Sequence, residues 1–257
     1  MVDLITPSII RFDSLGSTNT EAASWAMQGA PEGLCVVARE QTAGRGRLDR
    51  AWVSRKDAGL YLSVILRPRV QQRSLPLITL MTSLAVRDAL IESCDLDTDI
   101  KWPNDILANG SKLSGILAEV LETSIGRAVV VGIGINLTNE SISEELRDVA
   151  TSVETATGRI PDSEHILQAV ISKLACRYEA LQAENGAETT IAEWCSASSF
   201  AQGKRIRVNS GEEILEGITR GLEPDGALRI ETALGQMRTI RAGDVFELRD
   251  RGASIKD

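Results

Sequence analysis

Residues 116–137 read ILAEVLETSIGRAVVVGIGINL, and this stretch decides the fold class. Residues 116–121 and 128–137 are apolar, β-rich runs, and they are expected to pair as a hairpin of buried strands across the connection at 122–127. Working outward, residues 100–107 form a shorter apolar run broken by Pro103, which a regular central strand does not tolerate. Residues 75–91 and 166–181 carry apolar side chains at helical spacing. Upstream, residues 9–12, 34–38 and 60–66 read as short strands. Thr18-Asn19-Thr20-Glu21 has capping-box spacing for a helix ending near Gly29. Strands and helices therefore mix without strict alternation, which favours an α+β layer architecture over a doubly wound parallel sheet.

After Gly203 the texture changes to short strands at 205–208, 214–218, 228–231 and 245–248, separated by Asn209-Ser210-Gly211 and Pro224-Asp225-Gly226. The expected organisation is a mixed-sheet domain over residues 1–200 and a small all-β barrel over 203–251. The barrel is too small to be very stable alone and is expected to dock on the larger domain.

With 257 residues and 43% hydrophobic content the chain can bury a substantial core. No run of 18 uncharged apolar residues is expected to span a membrane, and residues 1–11 lack a signal-peptide pattern, so the default address is the cytoplasm. Cys35, Cys94, Cys176 and Cys195 are widely spaced, and with only His165 for imidazole they make a poor zinc set. They read as reduced, mostly buried thiols. A net charge of -8 argues against a general nucleic-acid binder. Six basic residues (Arg39, Arg45, Arg47, Arg50, Arg55, Lys56) face only three acidic ones (Glu40, Asp49, Asp57) between 39 and 57, a basic island suited to a small anionic ligand.

That island holds Gln41-Thr42-Ala43-Gly44-Arg45-Gly46-Arg47. Its glycines let backbone N–H groups approach a ligand, and its guanidinium forks suit phosphate or carboxylate oxygens, yet it matches neither a Walker A loop nor a dinucleotide fingerprint. Alone, such a segment reads more often as a solvated loop. Trp52 downstream could stack on a base or fill a core. Lys101-Trp102-Pro103-Asn104-Asp105 gathers a cation, an amide and a carboxylate around a proline, suited to a nucleotide and its magnesium, or to a plain polar turn. Lys112 precedes Gly115, where a strand opens. Gly132 and Gly134 interrupt an apolar strand at a stability cost unless something passes close to the backbone. At the first helix start, Ser17 and Thr18 lie beside unpaired backbone N–H groups, which favours a polar or anionic ligand.

In order and spacing, Ser17-Thr18-Asn19, Gly44-Arg45-Gly46-Arg47 with Trp52, residues 101–105, residues 112–117 and Gly132-Ile133-Gly134-Ile135-Asn136 together resemble the biotin protein ligase family. The resemblance implies a class II aminoacyl-tRNA synthetase/biotin ligase-like catalytic domain and an SH3-like barrel. It implies that biotin and ATP give biotinyl-5'-AMP and pyrophosphate, and that the biotin then passes to a lysine of a biotin carboxyl carrier protein. It further implies that Ser17, Thr18, Asn19 and Gln41 hold the biotin head, that Gly44, Gly115 and the backbone around Gly132 to Ile135 shape its pocket, and that Arg45, Arg47 and Lys112 supply positive charge to both substrates. Trp52 would stack on adenine, Lys101, Asn104 and Asn136 would contact the nucleotide, and Asp105 would support Mg2+ or the carrier lysine. Arg249 from the barrel would reach the ATP side.

The resemblance also allows a homodimer. Leu48-Asp49 departs from the family's common Arg-Gly, removing easy access to positive φ, and the loop 45–50 is expected to be mobile until biotinyl-adenylate orders it. Because the first motif starts at residue 17, the helix-turn-helix repressor domain of some members is expected to be missing. A lipoate or octanoate ligase, a non-catalytic biotin sensor, and a nucleic-acid binder with an SH3-like tail are the alternatives.

Overall fold

The computed structural model describes residues 8–210 and 213–248; Arg249 lies outside them. A seven-stranded sheet is built from β1 (Ser8–Phe12), β2 (Leu34–Ala38), β3 (Gly59–Leu66), β4 (Asp99–Lys101), β5 (Asp105–Ala108), β6 (Ser111–Thr123) and β7 (Gly126–Asn136), in the spatial order β1-β2-β3-β7-β6-β5-β4. Only β1 and β2 run parallel; every other pairing is antiparallel. The β6–β7 hairpin turns at Ser124-Ile125, tighter than expected, because pairing continues out to Thr123 and Gly126. Pro103 falls in the turn between β4 and β5, so it removes no ladder hydrogen bond.

The two-residue period of the strands sorts the side chains. Along β3, Leu60, Leu62, Val64 and Leu66 face one core, and along β7 so do Val129, Val131, Ile133 and Ile135. Against that face pack α2 (Leu77–Cys94), α4 (Ser163–Gln182) and α5 (Gly186–Ala197). The opposite face carries Ile65, Ala128 and Val130 and is covered by Ala22 and Ala26 of α1 (Thr18–Met27). Ser63, Gly132 and Gly134 fall in the same register on this α1 side, and their small size leaves a hollow beyond the end of the helix.

Helix α1 starts as expected but not by a capping box. Ser17 is the N-cap without a side-chain cap bond, Thr18 N–H donates to Gln41 Oε1 at 2.8 Å, and Glu21 instead accepts from Trp25 Nε1 at 2.9 Å. Helix α4 does carry a side-chain cap, with Asp162 accepting from the N–H groups of Glu164 and His165. Helix α5 escaped the pattern reading because its buried positions, Gly186, Thr190 and Trp194, hold only one large apolar residue. The short α3 (Val153–Thr157) escaped likewise. The segment of residues 72–94 that contains α2 is long and apolar enough to cross a bilayer by length and composition, although Arg87, Asp88 and Glu92 interrupt it. It is the one such helix among the described residues, and it is mostly buried inside the protein, as for a core helix.

The C-terminal part is a five-stranded antiparallel sheet in the order β11-β10-β9-β8-β12, consistent with a small SH3-like domain. Its strands are β8 (Gln202–Asn209), β9 (Ile214–Leu222), β10 (Leu228–Thr232), β11 (Met237–Ile240) and β12 (Asp244–Glu247). Strand β11 was not foreseen, because three of its four residues are exposed. The two sheets share one core: Ile206, Val208, Leu228 and Ile230 join the cluster under α2. Trp102, 2% exposed, donates its indole N–H to Gly226 O at 3.0 Å. The cysteines are free as expected but less buried than expected: Cys35 is buried, Cys94 and Cys195 are half-buried, and Cys176 is exposed.

Candidate active site

A cleft of about 370 Å³ opens on the α1 side of the large sheet. Its polar inner end is built around the start of α1, where Ser17, Thr18 and Asn19 are all nearly buried. Gln41 holds this corner, accepting from Thr18 N–H and donating from Nε2 to Ser54 Oγ at 2.7 Å. Ser63 Oγ lies 2.6 Å from Asn19 Oδ1 and 2.7 Å from Thr18 Oγ1. Asn19 Nδ2 donates to Leu117 O at 3.2 Å and to Glu119 Oε2 at 2.8 Å, and Arg45 pairs with the same carboxylate at 2.5 Å. Arg45 thus closes the inner end rather than standing beside Arg47.

The wall is glycine by necessity at two points. A Cβ on Gly134 would lie 2.5 Å from Trp52 Cε2, and one on Gly132 would overlap Asn19 Oδ1. The stability cost of those strand glycines is offset by the close approach of an indole and an amide. Gly115 completes the seat of the Trp52 ring. Trp52 Nε1 is buried without a partner, and Lys112 Nζ stands 5.5 Å from the ring centroid.

The outer end is ionic. Asp105 lies between two ammonium groups, Lys112 Nζ at 2.6 Å and Lys101 Nζ at 3.5 Å. Arg47 donates to Asn104 Oδ1 at 2.8 Å, while Asn104 Nδ2 donates to Ile116 O at 2.9 Å. Burial pushes the Arg47 guanidinium below its ordinary range, with Asp244 and Asp105 pulling the other way. A positive charge held partly desolvated, with only an amide as direct partner, is ready to receive an anion. Asn136 donates to Thr151 O at 3.0 Å, and backbone bonds from Lys112 N–H to Val149 O and from Thr151 N–H to Lys112 O fold the segment 139–151 over this end. Ile142, Leu146 and Val149 give it an apolar lining.

The loop between Arg45 and Ala51 is a tight turn in which Arg50 N–H donates to Arg47 O at 3.2 Å. Leu48 and Asp49 both adopt positive φ, 55° and 57°, despite lacking the glycine that makes this conformation easy. Arg50 pairs with Asp244, at the start of β12, so the C-terminal sheet reaches the cleft through Asp244.

Of the residues picked from the sequence, the cleft brings together Ser17, Thr18, Asn19, Gln41, Arg45, Arg47, Trp52, Lys101, Asn104, Asp105, Lys112, Gly115, Gly132 and Asn136. Ile135 points to the opposite face, fully buried under the helices. Gly44 sits behind the wall, where a Cβ would lie 2.7 Å from Ser54 Oγ. Sequence reasoning missed Ser54, Ser63, Glu119 and Asp244. A lone serine inside GLYLSVIL and a lone glutamate inside ILAEVL were available signals; Asp244 had none. Among the described residues no group of three or more His, Cys, Asp or Glu is placed to hold a metal ion. The carboxylate of Asp105 between two ammoniums is no metal cage.

The family profile described as Biotin/lipoate A/B protein ligase family matches residues 11–136, and that described as Biotin protein ligase C terminal domain matches 202–246. The chain is 36% identical to the bifunctional ligase/repressor BirA of Bacillus subtilis, covering 92% of this chain and 73% of that protein. It is 36% identical to the biotin--[acetyl-CoA-carboxylase] ligase of Mycobacterium tuberculosis, covering 91% and 86%. The fold aligns with the Aquifex aeolicus biotin protein ligase in complex with biotin and ATP, at a TM-score of 0.82 and 30% identity over 95% of this chain and 99% of that one.

Proposed function

From the premise that the chain belongs to the biotin protein ligase family, we propose that it joins biotin to ATP as biotinyl-5'-AMP and then transfers biotin to a lysine of a biotin carboxyl carrier protein. The observation that carries this reading is a single cleft with a neutral hydrogen-bonding inner end and a cationic outer end, joined by a glycine wall that seats an indole. The inner end suits a ureido group, which both donates and accepts; the outer end suits a carboxylate meeting a polyphosphate.

In the first step a biotin carboxylate oxygen attacks the α-phosphorus and pyrophosphate leaves. Two anions must meet, so Lys112 and Arg47 serve by offsetting their repulsion and the charge developing on the phosphoryl oxygens. Lys112 stands near both the Trp52 ring and Asp105, placed to hold the carboxylate and afterwards the acyl phosphate. Trp52 and the apolar segment at 142–149 would sandwich adenine, and Asn104 would fix the nucleotide. In the second step the carrier amine attacks the acyl carbon, AMP leaves, and Asp105 would take the amine proton. Mg2+ would arrive with the triphosphate.

Carrier docking and self-association are carried by the family resemblance. A cytoplasmic address is supported by four unpaired cysteines. The net charge of -8 supports a ligase over a DNA-binding role for these residues. The test is mass spectrometry of the protein with Mg-ATP and equimolar biotin and lipoate, with Lys112→Ala as control. Biotinyl-adenylate from the parent chain and not from the variant is expected. Lipoyl-adenylate would assign the chain to lipoate chemistry, and no adenylate despite biotin binding would make it a sensor.

A further inference from the structure

We propose that Glu119, outside the cleft, is a positioning residue that sets the donor and acceptor polarity of the biotin-head end; this rests on the biotin reading above. The Asn19 amide atom facing strand β6 touches two oxygens that can only accept: the Leu117 carbonyl at 3.2 Å and the Glu119 carboxylate, itself paired with Arg45, at 2.8 Å. That amide atom must be nitrogen, so Asn19 Oδ1 must face Ser63. Having no proton of its own, Oδ1 takes the Ser63 hydroxyl proton across 2.6 Å. A serine has one proton to give, so the 2.7 Å contact between Ser63 and Thr18 needs the Thr18 proton; Thr18 Oγ1 also lies 3.1 Å from Gln41 Oε1, which already accepts from Thr18 N–H, and the shorter Ser63 contact takes that proton. Thr18 Oγ1 then meets the cleft with lone pairs only. On the far side, Gln41 Oε1 accepts from Thr18 N–H and one Nε2 proton goes to Ser54, which leaves the second Nε2 proton for a ligand.

The polarity therefore runs from Glu119 through Asn19 and Ser63 to Thr18, where the shorter of two contacts decides the one open link. It offers an acceptor to a ligand N–H at Thr18 and a donor to a ligand carbonyl at Gln41, the complement of a cyclic urea. The chain cannot relax by moving, because Gly132 backs directly onto the Asn19 amide and Ser63 is fully buried. Replacing the carboxylate by an amide, which can donate as well as accept, removes the stronger of the two constraints and leaves only the 3.2 Å Leu117 carbonyl to hold Asn19, so the reversed chain becomes populated.

The experiment compares the parent chain with Glu119→Gln in ATP–pyrophosphate exchange, using biotin and 2-iminobiotin, whose ureido oxygen is replaced by an imino nitrogen that donates when protonated. For Glu119→Gln the KM for biotin is expected to rise about tenfold, the scale of one charge-assisted hydrogen bond, with the KM for ATP within twofold. The preference for biotin over 2-iminobiotin should shrink several-fold. Ser63→Ala, which cuts the chain without touching Glu119, should shrink the same preference and serves if the first variant does not fold. An unchanged preference in both variants, or equal losses for biotin and ATP, would overturn the proposal by leaving Glu119 a merely structural role. If the parent chain forms no biotinyl-adenylate, the functional reading fails instead, which the same assay records separately.

Discussion

Gly134→Ala is the sharpest test of how the cleft is built. The new methyl would stand 2.5 Å from Trp52 Cε2 and 2.6 Å from its Nε1. Non-bonded carbons rest at about 3.5–4.0 Å, so the indole must retreat by about 1–1.5 Å. The strand cannot retreat instead, because Gly134 is paired on both sides, with Tyr61 of β3 and Gly115 of β6. Trp52 sits on a half-exposed loop, so the fold absorbs the change at a cost of about 1 kcal/mol, the low end for overpacking, or about 2–4 °C in Tm for a chain of this size. The chemistry has no such slack. A misplacement of about 1 Å next to Lys112 and the proposed adenine seat is expected to lower kcat/KM for biotinyl-adenylate formation by about a hundredfold. The assay is ATP–pyrophosphate exchange with biotin, run beside thermal unfolding and tryptophan emission. Exchange within threefold of the parent chain would refute the reasoning, as would a loss explained by a drop in Tm beyond 10 °C, roughly threefold what that cost allows.

Asp244→Ala should release Arg50 and speed tryptic cleavage of the 45–50 loop several-fold, while global stability changes by no more than about 1 kcal/mol, as for an exposed ion pair; unchanged cleavage would mean that the C-terminal sheet does not hold the loop. Cys35, whose thiol is pushed up to about 12 by burial, should resist alkylation at mildly alkaline pH in the folded protein, whereas the exposed Cys176 should label. Peptide mapping of the alkylated native protein decides this, and labelling of Cys35 before Cys176 would contradict the burial. Arg39 hydrogen bonds hold the Asp57 carboxyl below its usual range. A depressed folded-state value stabilises the fold above the unfolded-state value of about 3.9, and that contribution is lost as pH falls through the folded-state value. The stability gap between the parent chain and Asp57→Asn should therefore narrow on acidification, and a widening gap would reverse the sign.

The two strand glycines and the lone lysine were legible because each violates a local expectation: glycine weakens a strand, and Lys112 precedes a glycine that opens one. Ile135 has no side chain in the pocket wall, because a motif is contiguous while a strand alternates. Its neighbours Gly134 and Asn136 reach the cleft, and its own side chain turns to the helical core. Leu48 and Asp49 show the opposite error. Residue preference argued against positive φ, yet the turn, tied to Asn104 through Arg47 and to Asp244 through Arg50, imposes it.

By itself the sequence determined the α+β class, the β6–β7 hairpin, the separate texture of the C-terminal strands and the set of residues that meet at one cleft. Periodicity and turn chemistry are local, and five spaced motifs carry their order along the chain. Only the tertiary structure decided which partner each arginine meets, that Glu119 and Ser63 hold the Asn19 amide between them, and that Asp244 bridges from the second sheet. Those partners lie 44 to 194 residues apart in the chain, and hydrogen-bond direction depends on which acceptors packing brings to a given amide. Neither fact is written in any window of neighbouring residues.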